Sequence, residues 1–148
     1  MAPIKTFTIE EANSIIPLLE RGFAVIMDCR KRQKLLNRDI EDLHEIWGDQ
    51  IFDEKNIDNK FYLDKLRKKD LLASAMQKEA ARVRQMGCLI KDAENGLVDF
   101  YYDRSGELVF LCWRYGEREI THWHSLDSGF SGRRHIETLR PQQETTRT

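Results

Sequence analysis

The sequence has little cysteine and no long apolar run. Its three cysteines are widely spaced and odd in number, so they predict neither a disulfide framework nor a zinc knuckle. No stretch approaches the roughly 20 apolar residues that span a bilayer, and the first residues do not resemble a signal peptide. We therefore expect a cytoplasmic protein that contacts no membrane and keeps its cysteines reduced.

An excess of charge of one sign is also lacking. The chain has 24 Lys and Arg against 25 Asp and Glu, which gives a net charge of -1. A balanced chain exerts no global attraction on nucleic acid, so we do not expect nucleic acid as a partner. Charge of both signs is instead abundant, at 33% of residues, and this is typical of long helices that face solvent.

The first part of the chain predicts two long helices. Thr8 and Glu11 have the spacing of a capping box, and apolar residues then recur every three or four positions as far as Trp47. A loop-like stretch follows at 48–59, and a second apolar stripe extends to a helix end at Gly87. The short connection predicts an antiparallel helical hairpin over residues 8–87.

Residues 88–135 change to the pattern of β-strands. Strands are predicted at 88–91, 97–102, 107–114 and 119–124, and Asn95-Gly96 favours a type I′ turn between the first two. The predicted fold class is therefore α+β, a long antiparallel helical hairpin packed on a small antiparallel β-sheet. We expect residues 1–135 to form a single domain and residues 136–148 to form a disordered tail.

Several short motifs carry a resemblance to a known family. They are FTIEEANSIIPLL near the start and GLVDF, LCWRYGE, WH and GFSGR in the β-rich part. Through them nearly the whole chain resembles the small prokaryotic proteins grouped as domain of unknown function 2203. The family's motif positions correspond here to Gly96, Asp99, Trp113, Arg114, Gly116, Glu117, Trp123, His124, Gly129 and Arg133. The resemblance implies no particular reaction, because the family has no assigned activity.

The β-rich part also contains a candidate polar site. Guanidinium groups bind carboxylates and phosphates through paired hydrogen bonds, and an aromatic ring can form a pocket wall. We therefore predict a small binding or interaction module with a pocket for a small anionic ligand, formed by Asp99, Arg114, Glu117, Trp123, His124 and Arg133. The alternative is an internal network in which Arg114 pairs with Asp99 or Glu117, His124 bonds to Asp127, and the tryptophans pack in the core between sheet and helices.

A second functional hypothesis is a metal-dependent, hydrolase-like enzyme. His122 and His124 would share one face of a strand and could hold a divalent metal together with a carboxylate. The family pattern has an aromatic residue at His122, which argues against a role that needs both histidines. Cys112 on the preceding strand is interpreted as a packing residue. Apart from this possible metal, the sequence predicts no cofactor.

The apolar stripe of the first helix predicts self-association. From Ala12 to Trp47 it is longer than the second helix and a small sheet can cover. Contiguous exposed apolar surface generally marks an interface. We therefore expect a homodimer formed through the helices.

Overall fold

The computed structural model describes residues 3–139, and its fold is α+β, as the sequence predicts. Helix α1 spans Ile9–Trp47 and helix α2 spans Asn59–Gln85, with a short 3-10 helix at Gly48–Phe52 between them. Within residues 3–139, neither long helix has the apolar stretch that crossing a membrane requires.

The sheet contains five antiparallel strands in the order in which they occur along the chain. They are β1 (Leu89–Asp92), β2 (Leu97–Arg104), β3 (Glu107–Arg114), β4 (His122–Ser125) and β5 (Arg134–His135). Strand β4 begins three residues later than the sequence predicts. The Ile120 N–H there donates to the Asn13 side chain at 2.7 Å instead of to a neighbouring strand. Strand β5 was not predicted, because two residues are too few to reveal an alternating pattern.

The predicted helix ends are confirmed. The Thr8 N–H donates to Glu11 Oε1 at 2.8 Å, and the Glu11 N–H donates to Thr8 Oγ1 at 3.0 Å, which completes the capping box. Gly87 follows α2 with a φ of +100°, in the left-handed region that glycine adopts readily.

The type I′ turn predicted at Asn95-Gly96 is wrong. Such a turn needs positive φ at both central residues, and only Gly96 of this pair has it. The Asp92 carboxylate instead accepts hydrogen bonds from the N–H groups of Glu94 and Asn95, which stabilises a longer connection. The two-residue turn with positive φ at both positions is Ser105-Gly106, between β2 and β3.

The described chain divides into two compact units, and the first contains the residues up to Phe23 and those from Ala81 onward. In this unit the beginning of α1 packs on one face of the sheet. The Phe23 and Trp113 rings lie 5.9 Å apart, and the buried residues of this face include Val98, Phe100 and Leu111. This side of the sheet is called the helix face below.

The second unit, Ala24–Ala80, is an antiparallel pair of helical segments. Near the connection, Trp47 Nε1 donates to Asp58 at 2.8 Å, whereas farther along Gln33 Nε2 donates to the Lys69 carbonyl at 3.3 Å. Residues farther from the connection on one segment contact residues farther from it on the other, so the two segments are antiparallel. A small core of Leu43, Ile51 and Tyr62 closes the end of the pair.

The first four residues of the tail that the sequence predicts to be disordered, 136–139, are ordered. Residues Ile136–Leu139 form a 3-10 helix, and Ile136 is buried. The Ile136 N–H donates to the Thr121 carbonyl at 2.8 Å, which ties this helix to the segment before β4. The rest of the predicted tail lies outside the described residues.

Candidate functional site

Three buried polar side chains lie together on the face of the sheet opposite the helix face, which we call the site face. They are Asp99 in β2, Cys112 in β3 and His124 in β4. Asp99 lies directly opposite Cys112, and His124 lies opposite Phe110 on the same side of the sheet. The carboxylate oxygen, the thiol sulfur and the imidazole nitrogen lie within 4.8 Å of one another.

The imidazole of His124 lies between two hydrogen-bond acceptors. Its Nε2 atom is 3.0 Å from Asp99 Oδ2, and its Nδ1 atom is 2.8 Å from the Ser125 carbonyl oxygen. A carbonyl can only accept, and so can an ionised carboxylate. With Asp99 ionised, both ring nitrogens carry a proton, and the pair is an imidazolium and a carboxylate with side chains only 4% and 3% exposed.

The surroundings of His124 strongly favour its charged form. Burial by itself lowers the pKa of His124, but hydrogen bonds with Asp99, Cys112 and the Ser125 carbonyl outweigh it and raise the pKa to about 10. The positive charge on His124 is balanced by the Asp99 carboxylate beside it. The pair is therefore neutral as a whole, which is how a buried charge is normally tolerated.

Glu117 organises the turn after β3. Its Oε1 atom accepts a hydrogen bond from the Arg114 backbone N–H at 2.6 Å, and its carbonyl accepts one from Trp113 Nε1 at 2.8 Å. The ion-pair partner of Glu117 is Arg133, whose Nη2 lies 3.1 Å from Oε2. The Arg114 side chain forms an ion pair with neither Asp99 nor Glu117, so this part of the internal-network alternative is wrong. The two carboxylates are nevertheless paired internally, Asp99 with His124 and Glu117 with Arg133.

Two adjoining cavities open on the site face. One, of about 120 Å³, is lined by Asp99, Cys112 and His124 together with Lys91 and Phe130. The other, of about 260 Å³, is lined by Asn95, Leu97, Arg114 and Phe130. Leu97 and Phe130 line both cavities, so the two are neighbours.

Cations surround these cavities. The Arg114 and Arg133 guanidinium carbons lie 5.7 Å and 4.6 Å from the Phe130 ring centre, and Lys91 Nζ lies 4.5 Å from the Phe110 ring centre. Arg114 is exposed and forms no ion pair with any residue from 3 to 139. The Arg133 Nε atom is buried and has no hydrogen-bond partner among residues 3–139.

The model of one protein family, described as an uncharacterized conserved protein (DUF2203), matches residues 5–136. The chain belongs to this family. The match includes every residue of the cluster and the cavities just described. No curated protein and no solved structure significantly matches this DUF2203 chain.

Four of the six residues in the predicted anion site of this DUF2203 protein line the cavities or contact Phe130: Asp99, His124, Arg114 and Arg133. Glu117 is joined to the site through Arg133. Trp123 lies apart, because it projects to the helix face, where its Nε1 donates to Thr138 Oγ1 at 2.6 Å. Asp127 is exposed, and the expected bond from His124 goes to Asp99 instead.

The two histidines of the predicted metal pair have different surroundings. His122 shares the site face with His124, but its Nδ1 is 2.8 Å from Thr121 Oγ1 and its ring lies 5.5 Å from the His135 ring. Burial and the nearby charge of Arg133 lower the pKa of His122. Within the described residues, the group of three potential metal ligands contains His124 and not His122.

Sequence reasoning missed three features of the site. The sequence indicates a packing role for Cys112, although strand alternation already places it on the side of β3 that also carries Arg114. The sequence does not indicate a site role for Lys91, because lysines are common in edge strands. Phe130 lies in an irregular segment, where no periodicity indicates which way a ring points.

Proposed function

We propose that this DUF2203 protein binds a small anionic molecule on the site face, with Arg114 and Phe130 as its principal contacts. The observation that carries the proposal is the Arg114 guanidinium. It lines the larger cavity beside an aromatic ring and has no acidic partner among residues 3–139. A guanidinium in that position can donate two parallel hydrogen bonds to a carboxylate or phosphate.

The charge balance around the cavities supports an anion. Two carboxylates of the site are already neutralised, Asp99 by the His124 imidazolium and Glu117 by Arg133. Arg114 and Lys91 therefore add positive charge to the walls of the cavities. The buried Arg133 Nε is a further donor without a partner, and a buried donor of this kind is normally satisfied by a ligand or water.

The walls of the cavities suggest the form of the ligand. Leu97 and Phe130 supply apolar surface beside the cations, and small-molecule sites commonly combine such walls with a few polar groups. A molecule with one anionic group and a small apolar or planar part matches both features. Binding of this kind requires no reaction.

Isothermal titration calorimetry with benzoate and with inorganic phosphate tests the proposal. Protein stripped of metal by a chelator should bind at least one probe saturably. Arg114→Ala should weaken that binding by about tenfold or more, since a hydrogen bond to a charged group contributes roughly 1.5–3 kcal/mol. Lys91→Ala should weaken it less, because a lysine acts as a point charge.

Arg21→Ala and Lys78→Ala are the matched controls, since each removes an exposed cation from a helix that lines neither cavity. They should leave affinity unchanged. If neither probe binds the wild type, or if the double variant of Arg114 and Lys91 binds as well as the controls, the proposal is wrong.

A second proposal concerns self-association through the helical unit. Between its helices lies a groove of about 500 Å³ with Leu35, Leu36, Leu71 and Leu72 among its lining residues. Leu35 and Leu71 are 53% and 61% exposed. Arg32, Asp39 and Lys68 also line the groove, so it carries charges of both signs. A surface with both signs beside an apolar strip can pair with a second copy of itself about a twofold axis. Light scattering of the purified protein tests this directly.

A further inference from the structure

The contact between Asp99 and His124 brings an imidazole nitrogen and a carboxylate oxygen to 3.0 Å, and a proton or a metal ion must lie between them. The Nδ1 proton of His124 is directed at the Ser125 carbonyl, 2.8 Å away, so in a neutral ring the lone pair would be on Nε2. That lone pair would face Asp99 Oδ2 at 3.0 Å. Two lone pairs at this distance repel each other unless a proton or a metal ion lies between them.

We propose that Asp99, Cys112 and His124 form a binding site for one divalent metal ion of the zinc class, which replaces the proton between Asp99 and His124. Each ligand comes from a different neighbouring strand, so the sheet fixes their relative positions. The inference does not depend on anion binding at Arg114.

The set of ligand atoms favours zinc over magnesium or calcium. Zinc accepts thiolate sulfur, imidazole nitrogen and carboxylate oxygen together, whereas magnesium and calcium bind oxygen almost alone. Atoms bound to one zinc ion lie roughly 3–4 Å apart, given bond lengths of about 2.0–2.3 Å. The three ligand atoms already lie within 4.8 Å of one another, and zinc binding would draw them into that range.

The surroundings of His124 match those of a metal-binding histidine. Such residues usually donate their second ring N–H to a carbonyl or carboxylate, which fixes the ring and leaves the other nitrogen for the metal. The Ser125 carbonyl fulfils this role here. Charge is also balanced, because a thiolate and a carboxylate neutralise one divalent ion. Binding then releases one proton from Cys112 and one from His124.

The proposed site leaves one coordination position open. All three ligands line the cavity of about 120 Å³, so a fourth position would face that space. Zinc sites with three protein ligands and one open position are typical of catalytic zinc, whereas structural zinc has four protein ligands. The hydrolase hypothesis, which relied on His122 and His124, would in this arrangement rely on His124 without His122.

Metal titration of untagged, chelator-treated protein tests the inference. Elemental analysis after dialysis against zinc should give one equivalent per chain. Cobalt(II) should bind with the same stoichiometry and give a thiolate-to-cobalt charge-transfer band, which only a cysteine ligand produces. Absence of that band, or binding of less than half an equivalent by the folded wild type, would overturn the proposal.

Variants identify the ligands. Cys112→Ala removes the sulfur but keeps the Asp99–His124 pair, so it should fold and lose the charge-transfer band and most of the zinc affinity. Cys29→Ala is the matched control, because Cys29 is also a buried free thiol but lies on α1. His122→Ala should bind as the wild type does. Binding lost in His122→Ala and retained in Cys112→Ala would move the metal to the histidine pair and contradict the inference.

Discussion

At the scale of single residues, the contact between Asp99 and His124 is the unusual feature of this protein. A buried charge pair adds little stability over apolar residues of the same size. Loss of one partner is different, because it leaves the other charged group buried without compensation. The two side chains are therefore strongly coupled, whether a proton or a metal ion lies between them.

Asp99→Ala and His124→Ala should each lower the free energy of unfolding by about 3–5 kcal/mol in metal-free protein. The double variant should lose much less than the sum of the two, since neither charge is then stranded. Urea unfolding followed by circular dichroism measures all three. Asp127→Ala is the control and should change little, because Asp127 is exposed. Additive losses would mean that the two residues do not interact.

The sequence indicated only part of this site. It placed Asp99, Arg114, His124 and Arg133 in one polar region, because carboxylates, guanidinium groups and imidazoles in one short segment suggest mutual contacts. It could not select the partner of His124, since Asp127 is three residues away and Asp99 is two strands away. That choice depends on strand register, which places Asp99 beside Cys112 and His124 on one face.

At the scale of secondary structure, local chemistry predicted the elements well. The start of α1 follows from Thr8 and Glu11, and the end of α2 from Gly87, because both depend only on residues a few positions apart. The connection after Asp92 was less predictable. Its conformation depends on a side chain that accepts backbone hydrogen bonds, and this competes with the simple Asn-Gly turn.

The capping box makes helix stability depend on pH. Hydrogen bonds from the Thr8 backbone and side chain lower the pKa of Glu11 below its usual 4.5. Because the pKa of Glu11 is lower in the folded protein than in the unfolded chain, the ionised carboxylate stabilises the fold. This contribution is fully present above pH 4.5 and is lost as pH falls through the lowered pKa. Glu11→Gln should therefore flatten the loss of thermal stability below pH 4.5, and Glu10→Gln serves as the neighbouring control.

Thr8→Ala tests the other half of the box. It should cost about 1 kcal/mol at neutral pH, the typical value for loss of an N-cap side chain. Thermal unfolding across a pH series measures both variants. Identical pH profiles for the wild type and Glu11→Gln would show that the Glu11 carboxylate contributes nothing to the helix start.

At the scale of the whole molecule, the α+β class followed from the change in hydrophobic period near residue 88. The division into two compact units did not, because the apolar stripe of α1 continues across Phe23 and Ala24 without a break in sequence. Short elements late in the chain were also missed, including β5 and the 3-10 helix at Ile136–Leu139. They are held by contacts with distant residues such as Thr121.

We expect two copies of the whole chain to associate through the groove of the helical unit. Leu71→Glu places a charge in the groove of the helical unit and should shift the protein toward monomer at tens of micromolar. Leu63→Glu is the matched control, because Leu63 is 52% exposed on the same helix but does not line the groove. Multi-angle light scattering distinguishes them. A monomeric wild type, or equal effects of the two variants, would contradict dimer formation through this groove.

Asp99, Cys112 and His124 come from three consecutive strands, β2, β3 and β4. This affects how the cluster can be inherited. The three strands are consecutive and connected by short segments, so one uninterrupted piece of chain, Leu97–Ser125, encodes the whole cluster. A gene segment of that length carries all three ligand groups, whereas the cavity beside them also needs Lys91 and Phe130. An insertion or deletion of a single residue within a strand would instead turn its ligand to the opposite face and abolish the cluster.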